Sequence, residues 1–135
     1  MRAVLDPNVL IAALLSPTGT PAQLLSRWLA GDFELVVSDE LLKELGRALG
    51  YAKVRRFISA DDAEAYVAFL ASTAVIAEQP AVGTHHSRDP GDDYLLALAE
   101  NEHAALVSGD KHLLQLADEL PIQTAATFLE GLESR

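Results

Sequence analysis

Apolar residues along this chain fall into short continuous runs that alternate with longer stretches of helical period. The run Arg2-Ala3-Val4-Leu5 has the look of a short buried strand, and Asn8 to Leu15 of an apolar helix, with Pro7 suited to a first turn where its missing N–H costs nothing. Ser16 to Thr20 reads as a loop, Pro21 to about Ala30 as a second helix, and Phe33 to Val37 as a second strand after the Gly31-Asp32 turn. Ser38 offers an N-cap to a helix from Asp39 to Leu49 that Gly50 ends. Phe57 to Ala74 looks like one helix with Ser59 or Ala60 near its start, followed by a short strand from Ala74 to Ala77. Residues 78–91 are irregular; then come a helix (Asp92 to Glu102), a strand (Ala104 to Val107), a short helix (Lys111 to Leu116), a last strand (Ile122 to Thr124) and a last helix (Ala126 to Leu132). Strands alternating with helices predict an α/β fold in three layers, α/β/α, around a parallel sheet of four to five strands.

Composition narrows the chemistry. At 135 residues, half of them apolar, the chain has the size of one domain, 1–135, with a core of its own. With no cysteine, a disulfide framework, a thiolate zinc site and a cysteine nucleophile are excluded. The N-terminal apolar run is broken by Asp6 and Pro7, too early for a signal peptide or a membrane span, so the expectation is a cytoplasmic protein with no membrane partner. A net charge of −10 argues against a simple electrostatic binder of nucleic acid, since that affinity comes mainly from Lys and Arg. Lys43, Arg47, Lys53, Arg55 and Arg56 form the one concentration of cations, with a solvated helix end and loop as the ordinary reading and substrate contact as the other.

Against that background the placement of four acids stands out. Asp6 ends the first strand, Glu44 lies within the amphipathic helix, Asp92 opens the helix that continues through Asp93, and Asp110 follows the strand ending at Val107. The carboxyl ends of parallel strands share one edge, so acids scattered in sequence can meet there. Carboxylates held close together repel one another, and a hard cation such as Mg²⁺ or Mn²⁺ relieves that repulsion. The pattern points to a metal-dependent enzyme acting on phosphate esters.

Four segments carry a resemblance: Val4-Leu5-Asp6-Pro7-Asn8-Val9-Leu10, Leu41-Leu42-Lys43-Glu44-Leu45, Arg88 to Ala99, and Leu106-Val107-Ser108-Gly109-Asp110-Lys111-His112-Leu113-Leu114. In order and spacing they resemble the PIN domain, most closely the small prokaryotic branch that supplies the toxins of toxin–antitoxin pairs. The resemblance implies a metal-binding and catalytic quartet of Asp6, Glu44, Asp92 and Asp110. Asp92 is preferred to Asp93 because it precedes Ala99 by the family's spacing, with Asp93 as runner-up. It also implies that Asn8 and Ser108 orient the acids, and it matches Asp89 to an acid common in the branch. Two positions depart from the pattern: Pro7 stands where Thr or Ser is usual, and His112 where many members carry a further Asp. The implied activity is Mg²⁺- or Mn²⁺-dependent cleavage of RNA by activated water, with a cognate antitoxin and a homodimer as expected partners.

Each acid has a plainer role available. Asp6 and Asp110 can cap helices, Asp92 and Asp93 sit where caps are ordinary, and Glu44 can simply face solvent. His85 and His86 read as a polar loop, His103 as a surface residue at a helix end, and Trp28 as either helix core or an exposed partner surface. A haloacid-dehalogenase-like phosphatase would want a second acid where Asn8 stands, and a receiver-type phosphoacceptor would want adjacent acids early in the chain. The alternative from another class is a PIN-like domain that has lost efficient catalysis and serves as a binding or regulatory module.

Overall fold

The computed structural model describes residues 1–82, 86, 87 and 89–134. Its strands are β1 (Arg2–Leu5), β2 (Glu34–Val37), β3 (Val75–Ile76), β4 (Ala105–Val107) and β5 (Ile122–Gln123). They form one sheet in the order β3-β2-β1-β4-β5, and every pairing is parallel. The helices are α1 (Pro7–Leu15), α2 (Thr20–Leu29), α3 (Asp39–Leu49), α4 (Ala52–Arg55), α5 (Ala60–Thr73), α6 (Asp93–Asn101), α7 (Lys111–Leu114) and α8 (Ala125–Glu133). The expected α/β/α architecture with a parallel central sheet is present, with five strands.

The order of the strands distributes the helices. From β1 the chain steps outward to β2 and β3, then crosses back to β4 and outward again to β5. Right-handed crossovers place the helices of the first excursion on one face and those of the return on the other. On the first face α1 packs on α2 and α3, α3 on α5, and α8 closes against α2; α6 lies across β1 and β4. The strand interiors are apolar on both sides: Ala3, Val4, Leu5, Leu35, Val36, Val37, Leu106 and Val107 are all buried. That is what a sheet covered on both faces requires.

Helix α3 shows the local logic. Leu41, Leu45 and Leu49 recur every four residues and are fully buried, while Glu40, Lys43 and Arg47 face water. The Ser38 hydroxyl accepts from the Leu41 N–H at 3.2 Å, satisfying one of the free donors of the first turn. Truncating any of the three leucines to Ala would cost about 2–5 kcal/mol.

Two sequence expectations need correction. The single helix expected from Phe57 to Ala74 is shorter: α5 begins at Ala60, where the Ser59 hydroxyl accepts from the Asp62 N–H at 3.1 Å, and a separate four-residue helix, α4, precedes it. The helix expected from Asp92 begins one residue later, after a 3-10 turn at Pro90–Asp92 whose Gly91 N–H is held by the Asp89 carboxylate at 3.0 Å. No single helix among the described residues is long and apolar enough to cross a membrane.

Candidate functional site

The sheet reverses its direction of growth between β1 and β4, and in open α/β sheets the crevice beyond the carboxyl ends of the strands at such a point is where ligands bind. Leu5 pairs with Val107, and the Asp6 N–H continues the ladder to the Val107 carbonyl at 3.0 Å. Asp6 and Ser108 therefore leave the sheet side by side into this crevice.

Asp6 is buried and fully engaged. Its Oδ1 accepts from the Asn8 N–H at 2.9 Å, capping α1, and its Oδ2 accepts from the Ser108 hydroxyl at 2.8 Å. Ser108 is itself completely buried, and its Oγ accepts from the Asp110 N–H at 3.0 Å, so one hydroxyl ties the ends of β1 and β4 together. Burial pushes the Asp6 carboxyl above its ordinary range; the bonds from Asn8 and Ser108 act against this, and the Asp110 charge adds to it. Asp110, half-exposed, caps α7 by accepting from the His112 N–H at 2.7 Å.

Asp92 completes a trio. Its side chain makes no capping bond. Its carboxyl is pushed up to about 7, first by burial, then by the negative charges of Asp6, Asp89 and Asp110 and by a hydrogen-bonding approach to Asp110. Repulsion of this kind requires proximity, so Asp6, Asp89 and Asp110 lie within electrostatic reach of Asp92 near the carboxyl ends of β1 and β4.

Asp93 has a different place. It is buried, its Oδ2 lies 2.9 Å from His86 Nδ1, and its Oδ1 accepts from the Ser87 N–H at 2.8 Å. Burial raises its carboxyl, but these bonds prevail and hold it below its ordinary value. It fastens the irregular segment to α6. His86, read from sequence as one of two loop histidines, is thus partnered; His85 lies outside the described residues.

Glu44 is half-buried on α3, and its carboxylate meets the guanidinium of Arg47 one turn on. Arg47 lies within electrostatic reach of Tyr94, a residue the sequence reading missed. The Tyr94 hydroxyl is held above its ordinary value by burial and then by Asp6, Asp92 and Glu40, with Arg47 acting the other way. Glu44 is not among the charges that act on Asp6 or Asp92. Among the described residues no three or more Asp, Glu or His side chains close around a common point tightly enough to cage an ion.

Other expected residues fall as follows. Asn8 is exposed and acts on Asp6 through its backbone N–H, a role any residue but proline would fill. His112 is exposed, with Nδ1 4.0 Å from Asp110 Oδ1. His103 adopts a left-handed backbone, φ 52°, just beyond α6. Trp28 is buried and meets Phe69 edge-on at 5.9 Å, so it belongs to the core and does not stand exposed as a partner surface.

A second missed residue is Gln79. Its Oε1 accepts from the Ser38 hydroxyl at 2.7 Å and its Nε2 donates to the Tyr94 carbonyl at 3.0 Å, bracing the start of α3 against the start of α6. A Gln three residues after a strand, without a helical period around it, carries no such signal in sequence.

An open α/β sheet with aspartates gathered at its switch point defines a class of acidic-site domain, and comparison with known proteins identifies the family. The sequence profile of the PIN domain matches residues 2–112, and the chain belongs to the PIN-domain family. An uncharacterized protein of Methanocaldococcus jannaschii, MJ1680, is 26% identical over 143 residues, spanning 98% of this chain and 92% of that one. In three dimensions the chain is similar to PAE2754 from Pyrobaculum aerophilum, with a TM-score of 0.66 at 18% identity over 100% of this chain and 91% of that one. It is also similar to VapBC2 from Rickettsia felis, a structure bound to a DNA fragment from their promoter, with a TM-score of 0.65 at 16% identity over 92% of this chain and 98% of that one.

Proposed function

We propose that this protein is a divalent-metal-dependent endoribonuclease, the toxin of a toxin–antitoxin pair, acting in the cytoplasm as a single domain. One observation carries the reading: the Ser108 hydroxyl ties Asp6 and the Asp110 backbone together at the switch point, with Asp92 near enough for their charges to push its carboxyl up. Membership of the PIN family and the likeness to VapBC2 support the nuclease and the antitoxin partner.

The donor set suits Mg²⁺ or Mn²⁺, which favour carboxylate oxygens. Asp6, Asp92 and Asp110 would hold the ion, with Glu44 joining through a change of partner. Mg²⁺ usually keeps several waters and takes one or two carboxylates directly, so the remaining acids would act through those waters. When bound, the ion supplies an activated water and offsets charge at the phosphodiester. The chain's own contribution is orientation. Ser108 and the Asn8 N–H fix the Asp6 rotamer, Asp93 anchors the segment that leads into Asp92, and Gln79 sets the distance between α3 and α6. His112 leaves the Asp110 carboxylate less crowded by negative charge than a further Asp would.

Incubating the protein with an unstructured RNA in Mn²⁺ tests this. Cleavage is expected, lost in EDTA and in Asp6→Asn and Asp92→Asn. Activity that survives in EDTA, or undiminished in both folded variants, would overturn it. The engagement of Glu44 with Arg47 favours a second reading, a PIN domain retained for binding with little catalysis, in which metal leaves RNA intact.

A further inference from the structure

Two clefts meet at Asn8. One, of about 410 Å³, runs between the acid crevice and the starts of α2 and α8, and its walls include Val9, Gly109 and Asp110. The other, of about 320 Å³, lies between α1 and the α3–α4 corner, lined by Ala12, Leu15, Tyr51 and Lys53. Asn8 and Ala12 line both, so together they make one path leading away from the carboxylates.

The far end of that path differs in charge from the rest of the molecule. Five of the ten Lys and Arg residues lie between positions 43 and 56 of a chain whose net charge is −10. Lys53, Arg55 and Arg56 are exposed, and no carboxylate among the described residues lies within ion-pairing distance of them. Two aromatic rings stand among them in solvent: Tyr51 is 52% exposed and Phe57 73%. The Arg56 guanidinium sits over the Phe57 ring, 5.9 Å from its centre. Exposing a Phe to this degree brings no stability to the fold. Cations that track a backbone, interleaved with open ring faces, are how proteins hold single-stranded nucleic acid. In a duplex the base faces are already stacked and cannot reach such rings.

We propose that the α3–α4 corner is the docking track for an unpaired RNA strand, with bases on Tyr51 and Phe57, phosphates on Lys53, Arg55 and Arg56, and the strand led past Asn8 to the acids. This rests on the nuclease reading of the acid site. It also gives the cation cluster a role, where the sequence alone favours a solvated loop.

The test separates binding from cleavage. Anisotropy of a fluorescein-labelled oligouridylate of about 12 nucleotides, a length on the scale of one such site, is followed with the full chain in EDTA. Tyr51→Ala and Phe57→Ala are each expected to weaken binding by about 10-fold. Lys53→Ala/Arg55→Ala/Arg56→Ala should flatten the slope of log affinity against log salt by about 2. A duplex of equal length should compete poorly. The track is overturned if the wild type does not bind, if the variants bind like wild type while their melting temperatures are unchanged, or if the duplex competes equally. Cleavage of the same RNA in Mn²⁺ is read in parallel. Wild type that binds through these residues but never cuts leaves the track standing and removes the nuclease reading, whereas variants that cut and bind as wild type remove the track alone.

Discussion

Asp92 and Asp93 are adjacent in sequence, yet one carboxyl is pushed up to about 7 among other acids while the other is held below its ordinary value by His86 and Ser87. The one-residue offset between the 3-10 turn and α6 turns them to opposite surroundings. The same residue type in the same turn thereby has opposite consequences for stability.

For Asp92 the folded protein binds a proton that the unfolded chain, titrating near 4, has already lost. In metal-free buffer its contribution to stability therefore falls as pH rises from about 4 through about 7. Asp92→Asn should be more stable than wild type at pH 8, by on the order of 1 kcal/mol once the screening of a half-exposed group is allowed for, and the gain should vanish near pH 4. Urea midpoints in EDTA at the two pH values check this; an Asn variant less stable at pH 8 would contradict it.

Asp93 runs the other way. Its depressed folded value gives stability that is present above about pH 4 and lost as pH falls through that value. Asp93→Asn should destabilise the protein at pH 7 by on the order of 1 kcal/mol, since two charge-assisted bonds are weakened, with the difference shrinking toward pH 3. The same urea series measures it.

Ser108→Ala removes a donor to Asp6 Oδ2 and an acceptor for the Asp110 N–H in one change. We expect a loss of about 1–3 kcal/mol. The carboxyl of Asp6 should titrate higher than in wild type, because a bond favouring its charged form is gone, and carbon NMR of that carboxyl reads the shift. If Asp6 does hold an ion, Mn²⁺ affinity by calorimetry should also fall about 10–100-fold.

Mg²⁺ or Mn²⁺ should raise the melting temperature of the wild type, because ions bound only by the folded chain stabilise it by mass action and relieve the repulsion on Asp92. The rise should shrink in Asp92→Asn and persist in Asp93→Asn. Equal shifts in all three proteins would mean that the ions bind elsewhere.

Much of this arrangement can be read in the sequence, and the rest has identifiable reasons for being hidden. β1 and α3 fall where the apolar pattern and Ser38 put them, because a buried strand and a capped amphipathic helix are both specified by their own residues. Helix α4 is a single turn, too short for any period to form, so the sequence carries no sign of it between Gly50 and Phe57. Among the acids, Asp6 and Asp110 are placed by the strands they terminate. Glu44 is placed by a helix, where its partner depends on which neighbour reaches it, and Arg47 three residues on does. Gln79 and Tyr94 owe their roles to contacts across the irregular segment, which no local pattern encodes.

The pairing of β1 with β4 sets Asp6 against a strand about 100 residues further along the chain. Asp6 can meet Asp110 only once β4 has docked beside β1, so a chain cut before Ala105 keeps Asp6 and Asp92 but loses both Asp110 and the strand that places it. Whatever chemistry the acids perform therefore waits on the docking of β4, and removing β4 would abolish it as surely as removing a carboxylate.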